Sequence, residues 1–300
     1  MDGIFNVNKP GGMTSHDVVG AIRRRSGCRR VGHAGTLDPS AEGVLVICVG
    51  RATRVVQYLM DSRKVYCAEI VLGVSTDTFD AEGRVVSRAP EVNVTLEQMK
   101  AVVSTFLGKI QQIPPMYSAV KLKGKRLYKL ARAGIDVERP PREVEVYRAE
   151  VTGWEPPRAW VVVECGKGTY IRSIAQDIGE RLGCGAHLGH LVRLASGKFT
   201  LGDALPLSLL EEALVGGWWD SVMYPLDEAL SDLSAVILRE ESKSAIINGG
   251  SWTPQRWRLA EGASPPTHGL CRAYSAEGDI VALLKLDALR QVWHPDMVFV

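Results

Sequence analysis

Apolar residues recur with helical spacing in four segments of the first 200 residues. These segments are 14–27, 51–61, 95–108 and 171–183. The first segment opens with the capping-box pair Thr14 and Asp17. The third opens with the equivalent pair Thr95 and Gln98, and we expect Gly108 to end it. The spacing therefore predicts one helix in each of the four segments.

Between the helical segments lie runs that are short and rich in β-branched residues or that alternate with a period of two: 44–49, 64–72 and 161–165. They predict strands. The alternation in 64–72 puts Tyr66 on the same face as Ala68, Ile70 and Leu72, so one side of the tyrosine is apolar. Such a position suits a core tyrosine, and it equally suits an aromatic platform on which a nucleobase can stack.

The character of the chain changes at about residue 230. From there, short alternating runs are separated by turns that contain glycine and proline: 235–238, 269–274 and 280–286. This spacing predicts a small β-barrel at the C-terminal end.

Composition restricts the class of protein. Three hundred residues with 46% hydrophobic and 23% charged content describe a globular chain with one large core and a smaller domain. No stretch approaches 18 consecutive apolar residues and no signal-peptide pattern occurs, so we expect a cytoplasmic protein without a membrane span. The six cysteines form no CxxC pair, which indicates reduced thiols.

Positive charge is concentrated in three clusters although the net charge is only +2. Five arginines lie between residues 23 and 30, six lysines and arginines lie between 121 and 132, and Arg139 and Arg142 follow. Local concentration of this kind suits contact with a phosphate backbone. A solvated surface is the alternative for any single cluster, but three clusters around one acidic loop favour nucleic acid.

That acidic loop is the segment GHAGTLDPSAEG, residues 32–43, and its aspartate is Asp38. The glycines permit backbone conformations closed to other residues, and Pro39 pushes Asp38 toward an extended conformation. A carboxylate held in this way is a candidate catalytic group. The structural alternative is an Asx-turn, in which Asp38 binds only nearby backbone N–H groups.

Four segments in the same order resemble the pseudouridine synthases of the TruB type. They are NVNKPGGMTSHDVV (6–19), GHAGTLDPSAEGVL (32–45), KVYCAEIVLG (64–73) and GTYIRSIAQDIGERLGCGAHLGHLVRLASG (168–197). The resemblance covers most of residues 1–200. The chain departs from the family at Glu42, where a small hydroxyl residue is usual, and in the arginine-rich end of the last segment.

The resemblance implies an enzyme that isomerises the uridine at position 55 in the T-loop of tRNA to pseudouridine, with no cofactor and no metal. It implies Asp38, Tyr66 and Arg172 as catalytic residues. A guanidinium beside a carboxylate lowers its pKa and grips it with two hydrogen bonds, so we expect Arg172 to keep Asp38 ionised. The implied fold is α+β, with a mixed or antiparallel central sheet flanked by helices and a small C-terminal β-barrel.

The resemblance also implies which parts of the chain hold RNA. Residues 1–229 are expected to form the catalytic domain, and 230–300 a PUA-like domain that helps to hold the acceptor stem. The basic, tyrosine-containing insertion at 114–143 is expected to be a mobile arm that grips the T-loop. The candidate substrate-binding residues are His33, Leu191, Lys121, Arg126 and Tyr170. Lys9 and Pro10 resemble a structural support beneath the tyrosine.

Other functions were weighed against this one. Cys184, His187 and His190 recur every third residue, but the sequence offers no clear fourth ligand for zinc. A non-enzymatic RNA-binding module would explain the basic insertion and the β-barrel, but not an acid among arginines. An RNA-guided relative is the closest rival, and such proteins lack the long insertion. We therefore expect a monomer that binds the T-arm and acceptor stem of tRNA without a guide RNA or protein partner.

Overall fold

A computed structural model describes residues 1–118, 121–122, 124–132, 134–135, 137–253 and 269–299, with the backbone alone at 121–122, 125–126, 128–129 and 132. The helices are α1 (Ser15–Ser26), α2 (Val56–Asp61), α3 (Leu96–Ser104), α4 (Leu127–Arg132), α5 (Ile171–Arg181), α6 (Leu207–Gly216) and α7 (Glu240–Ile247). Three 3₁₀ helices span Gly50–Val55, Trp219–Val222 and Leu226–Leu230.

Eighteen strands are described: β1 (Gly3–Lys9), β2 (Val31–His33), β3 (Glu42–Val49), β4 (Lys64–Leu72), β5 (Val74–Thr76), β6 (Val85–Arg88), β7 (Gly108–Gln112), β8 (Lys121–Leu122), β9 (Lys125–Arg126), β10 (Arg142–Glu155), β11 (Arg158–Cys165), β12 (Ala186–Ser196), β13 (Phe199–Thr200), β14 (Leu205–Pro206), β15 (Ser234–Ile237), β16 (Leu270–Tyr274), β17 (Ile280–Asp287) and β18 (Val292–Val298).

The main sheet contains ten strands in the order β14-β1-β3-β12-β4-β11-β10-β7, with β2 beside β3 and β13 beside β12. Its neighbours are antiparallel except β1 with β14 and β3 with β12. The predicted mixed sheet flanked by helices is therefore confirmed. The large core lies between this sheet and helices that include α1, α3 and α5.

Local sequence explains the helix boundaries. Thr14 and Asp17 form the predicted capping box, and Gly27 ends α1 in the left-handed conformation. The predicted helix at 51–61 starts as a 3₁₀ helix and becomes α-helical at Val56. The prediction that Gly108 ends the third helix is wrong, because α3 stops at Ser104 and Gly108 is the first residue of β7.

The C-terminal β domain is a four-stranded sheet in the order β15-β16-β17-β18, accompanied by α7. Strands β15, β16 and β17 lie within one residue of the three predicted runs, and β18 was not predicted. Leu283 and Phe299 of this sheet are fully buried in a second core that includes Ile4 and Val44 of the main sheet. Burial of this shared apolar surface joins the two sheets.

The structure adds detail to the insertion and contains a central strand that was not predicted. The insertion at 114–143 contains the β8–β9 hairpin and α4, but its last residues, Arg142 and Glu143, already pair with β7 in the main sheet. Strand β12, which periodicity did not reveal, lies in the middle of the sheet between β3 and β4. Its apolar alternation is interrupted at Gly189, where the ladder with β4 shifts register.

Candidate active site

Asp38 lies in the segment 34–41 between β2 and β3, which we call the catalytic loop. The loop is held from below by buried polar groups. The ammonium of Lys9 donates to the carbonyl of Pro39 at 3.0 Å, and the hydroxyl of Ser15 bonds both the N–H and the carbonyl of Leu37. Lys9 is fully buried, so these bonds replace the water it loses. The backbone at Asp38 is therefore fixed before any ligand binds.

Arg172 grips the Asp38 carboxylate with two nitrogens. The Nε–Oδ2 distance is 3.0 Å and the Nη2–Oδ1 distance is 3.3 Å. The same guanidinium reaches Asp80 Oδ2 at 3.4 Å and donates to the carbonyl of Tyr117 at 2.9 Å. In the described residues the contacts of the Asp38 carboxylate are with Arg172 and not with backbone N–H groups, which argues against a simple Asx-turn.

Asp80 was missed by the sequence analysis. It lies in the turn between β5 and β6, where Phe79 adopts a left-handed conformation with φ of 66°. The carbonyl of Phe79 accepts from the N–H of Leu188 at 2.9 Å, and the Thr78 hydroxyl donates to Asp80 Oδ1 at 2.5 Å. These contacts attach the turn to β12 and aim Asp80 at Arg172. The sequence TDTFDAEG predicts an acidic turn, but it does not indicate that Asp80 contacts Arg172.

The charge balance at Asp38 differs from the prediction. Burial raises the pKa of the Asp38 carboxyl, Arg172 opposes that rise, and the negative charge of Asp80 adds to it. The net direction is upward, so Arg172 lowers the pKa as expected but offsets the effect of burial only in part. The side chain is 40% exposed, so water reaches one side of the carboxylate while protein covers the rest.

Tyr66 lies on β4 with Ala68, Ile70 and Leu72 against the large core, as the alternation predicted. Burial raises the pKa of its phenol, the guanidinium of Arg193 lowers it, and the charge of Asp38 raises it further. The hydroxyl therefore lies within electrostatic range of both the catalytic loop and Arg193. The tyrosine packs against the core and is not among the residues that line the cleft beside Asp38, so its catalytic role stays a prediction.

A cleft opens at this point of the molecule, and it is lined by Asp38, Asp80, Arg172, His190 and Leu191. Leu191 is buried and pairs with Ala68 of β4, so it presents an apolar wall beside the charged groups. An apolar wall with a few convergent polar groups is typical of a small-molecule or nucleobase pocket. Three of the predicted site residues, Asp38, Arg172 and Leu191, thus meet in one cleft.

The predicted substrate-binding residues Tyr170 and His33 are not among the residues that line the cleft. Tyr170 precedes α5, and its backbone N–H and carbonyl both bond the side chain of Gln112, at 2.7 and 2.9 Å. His33 packs edge-on against His16, with 5.8 Å between ring centroids, and its buried Nδ1 has no partner among the described atoms. Burial lowers the pKa of His33, so the imidazole is neutral.

Lys121 and Arg126 are opposite each other in the β8–β9 hairpin, and their side chains lie outside the described residues. The side chain of Tyr128 in α4 does too. Within the insertion, the described part nearest the site is Tyr117, whose carbonyl binds Arg172. The hairpin therefore follows shortly after a residue, Tyr117, that is bound to Arg172.

The zinc alternative gains no support from the geometry. His187 Nδ1 contacts the carbonyl of Val74 at 2.8 Å, and His190 Nε2 lies 3.6 Å from Glu42. Within the described ranges, no group of three or more histidine, cysteine or acidic side chains is placed to hold a metal ion. Likewise, no helix among the described residues is long and apolar enough to cross a membrane.

Comparison with known proteins places this geometry in a family. A family model described as TruB family pseudouridylate synthase (N terminal domain) matches residues 23–171, and one described as tRNA pseudouridylate synthase B C-terminal domain matches residues 172–231. A protein of Dehalococcoides mccartyi (strain CBDB1) named tRNA pseudouridine synthase B is 45% identical over 300 residues, which cover 100% of this chain and 97% of that protein. One with the same name from Syntrophotalea carbinolica is 50% identical over 211 residues, 70% of this chain and 69% of that protein.

Solved structures show the same fold. A chain in "Crystal Structure of a Cbf5-Nop10-Gar1 Complex" superposes with a TM-score of 0.75 at 29% identity, covering 99% of this chain and 85% of that chain. A chain in "Structure of H/ACA RNP bound to a substrate RNA containing 2'-deoxyuridine" gives a TM-score of 0.74 at 25% identity, with the same coverage. Both likenesses extend over the C-terminal sheet as well as the main sheet.

Proposed function

The chain belongs to the TruB family of pseudouridylate synthases, and on that basis we propose that it modifies uridine 55 in the T-loop of tRNA, with Asp38 as the catalytic carboxylate. As a member of that family it is an isomerase that converts uridine to pseudouridine in tRNA. The reaction breaks the bond between ribose C1′ and base N1, turns the base, and joins C1′ to C5. The proton lost from C5 is matched by one gained at N1, so the reaction needs no redox partner.

One observation supports this role for Asp38 above all others: its carboxylate lines a cleft and is bound there by two nitrogens of Arg172. Attack on C1′ and removal of a C2′ proton both need an ionised carboxylate beside the sugar. The guanidinium supplies charge-assisted hydrogen bonds that keep the acid in place and partly offset the cost of its burial. We assign catalysis to Asp38, Tyr66 and Arg172, with Tyr66 as the base that removes the C5 proton.

The target base is stacked inside a folded RNA loop, so the enzyme must extrude it. Unstacking costs a few kcal/mol, which stacking and polar contacts in the cleft can offset. The buried wall at Leu191 suits the face of a uracil, and we propose that His33 and Tyr170 contact the flipped nucleotide. The charge of Asp38 is felt at Tyr170, which supports a place for that ring at the rim of the site.

Exposed positive charge indicates where the protein binds the rest of the RNA. The five arginines between residues 23 and 30 are all exposed, as phosphate contacts require. We propose that residues 1–229 form the catalytic domain and that its insertion at 114–143, including Lys121 and Arg126, grips the T-loop. We propose that residues 230–300 form a PUA-like domain on the acceptor stem. We also propose a monomer that needs no guide RNA or protein partner; the relatives named tRNA pseudouridine synthase B carry a name that mentions neither. Six free thiols support a cytoplasmic location.

The test is to incubate the purified chain with unmodified tRNA, without cofactor or guide RNA, and to map pseudouridine by position. We expect modification at position 55 alone. Asp38→Asn is expected to lose turnover while tRNA affinity stays within about threefold of the wild type. The matched control is Asp61→Asn, which removes an exposed carboxylate paired with Lys167 and should leave the rate unchanged. Near-normal turnover by Asp38→Asn would overturn the assignment of Asp38, and a requirement for guide RNA would overturn the stand-alone reading.

A further inference from the structure

Arg193 is a charged side chain at the centre of the main sheet, and it is only 1% exposed. Burying a charge is costly unless its donors find partners. Here three nitrogens of the guanidinium contact backbone carbonyls: Nε with Val44 at 2.6 Å, Nη2 with Gly35 at 3.1 Å and Nη1 with Thr36 at 3.5 Å. Arg193 is not among the residues that line the cleft, and the arginine that binds Asp38 is Arg172. The proposed chemistry therefore leaves this buried cation without a role.

The three carbonyls share one property, which is their place relative to Asp38. Gly35 and Thr36 lie just before it in the catalytic loop, and Val44 lies in β3 just after the loop. One guanidinium thus joins the two ends of the loop. The backbone contributes as well, because Arg193 pairs with Gly43 in the parallel ladder between β12 and β3.

The same guanidinium faces Tyr66, which is the register partner of Arg193 on the opposite side, in β4. Its charge lowers the pKa of the Tyr66 phenol against the larger effect of burial. We propose that Arg193 is a positioning residue that holds the catalytic loop against Tyr66 and so sets the distance between the Asp38 carboxylate and the aromatic ring. This inference rests on the proposed function of the site.

The shape of the side chain explains why an arginine is needed. Guanidinium has five donors in a rigid planar fork, so it can bind carbonyls on both ends of the loop at once. A lysine carries the same charge but its three donors radiate from one nitrogen, whereas the Arg193 guanidinium contacts the three carbonyls through three separate nitrogens. Arg172 acts differently, since it binds the Asp38 carboxylate itself, and Lys9 binds the loop from its other side at Pro39.

The experiment compares Arg193→Lys and Arg193→Met with the wild type in three measurements: the single-turnover rate on tRNA, the dissociation constant for tRNA, and amide hydrogen exchange over residues 34–43. Misplacement of a reacting group by about 1 Å can cost about 100-fold in rate, and we expect a loss of that order in both variants. The dissociation constant should stay within about threefold, because the exposed RNA surface is untouched. Exchange in the loop should accelerate while exchange in the C-terminal sheet stays unchanged.

Lys64→Met is the matched control. Lys64 is also a buried cation, and its ammonium bonds the carbonyls of Leu59, Met60 and Ser62 at the end of α2, none of which belongs to the catalytic loop. Its loss should lower stability but leave the rate within about threefold. An Arg193→Lys rate equal to the wild type would overturn the proposal, as would an equal rate loss in Lys64→Met. If the wild type forms no pseudouridine, the proposed function fails before the variants are compared; if Arg193→Met does not fold, Arg193→Lys decides.

Discussion

Replacing Asp80 with asparagine is expected to lower the pKa of Asp38 and to extend activity to lower pH. Both carboxylates contact the guanidinium of Arg172, Asp38 at 3.0 Å and Asp80 at 3.4 Å. Burial raises the pKa of Asp38, and the negative charge of Asp80 adds to that rise. Asparagine removes the charge but keeps an oxygen that can accept from Arg172.

The magnitude follows from the shared guanidinium, which places the two carboxylates roughly 6 Å apart. Coulomb's law then gives a repulsion of about 3 kcal/mol at an effective dielectric constant of about 20, and about 0.7 kcal/mol at that of water. Because the side chain of Asp38 is 40% exposed, solvent screening favours the lower part of this range. About 1.4 kcal/mol is a tenfold change in an acid dissociation constant, so a repulsion in this range is large enough for its removal to lower the pKa of Asp38 measurably.

The sign follows from the form that reacts. The carboxylate must be ionised, so the rate falls as the pH drops through the pKa of Asp38. A lower pKa in Asp80→Asn therefore means that a larger fraction of that variant's own plateau rate survives at acid pH. The assay measures single-turnover release of tritium from C5 of uridine in tRNA over a pH series, with each protein normalised to its plateau.

Asp77→Asn is the control for the Asp80 substitution. Asp77 lies in the same turn and pairs with Arg84, which is almost fully exposed, rather than with Arg172. Its acid limb should coincide with that of the wild type. An acid limb that stays in place or moves to higher pH in Asp80→Asn would refute the argument that two like charges compete for Arg172.

Two further predictions concern the ring and the loop. Tyr66→Phe keeps the stacking face, so tRNA affinity should be unchanged, but release of the C5 proton should slow by about 100-fold or more if the hydroxyl is the base; an unchanged final step would exclude that role. Gly43→Ala should lower the free energy of unfolding in urea by at least about 2 kcal/mol, because φ is 98° and an added Cβ would lie 2.3 Å from the Arg193 carbonyl oxygen. Gly27→Ala, at φ of 66° with open space around it, should lose only about 1 kcal/mol, and equal losses would contradict the role of this close approach.

Periodicity and capping could predict the elements that carry their signals within one segment. The boundaries of α1 follow from Thr14, Asp17 and Gly27, and β4 spans the predicted run. Strand β12 was missed because Gly189 and its bulge interrupt the alternation, although the strand lies in the middle of the sheet. A central position is fixed by pairing with distant strands, and no local window of sequence contains that information.

In the site, too, residues with a local sequence signal could be predicted and residues placed by distant contacts could not. The motif around Asp38 and the resemblance to a family pointed to Arg172, and the structure brings the two together. Asp80 could not be found in this way, because its turn reaches the site through a backbone contact with Leu188. The net direction of the Asp38 pKa could not be predicted from the pair alone, because burial raises it more than Arg172 lowers it and the charge of Asp80 adds to the rise.

Two buried arginines fix the position of Asp38 in different ways. Arg172, from α5, fixes the carboxylate group, while Arg193, from the next element β12, fixes the backbone on both sides of it. If only the backbone is fixed, rotation about the side-chain torsions can still move the carboxylate. If only the carboxylate is bound, movement of the loop can still displace it. Catalysis by a positioned group requires both constraints before the substrate arrives, since ordering the loop during the reaction would add to the barrier. The rate should therefore fall when either arginine is replaced, and the two losses should not add, because each substitution already releases the same carboxylate.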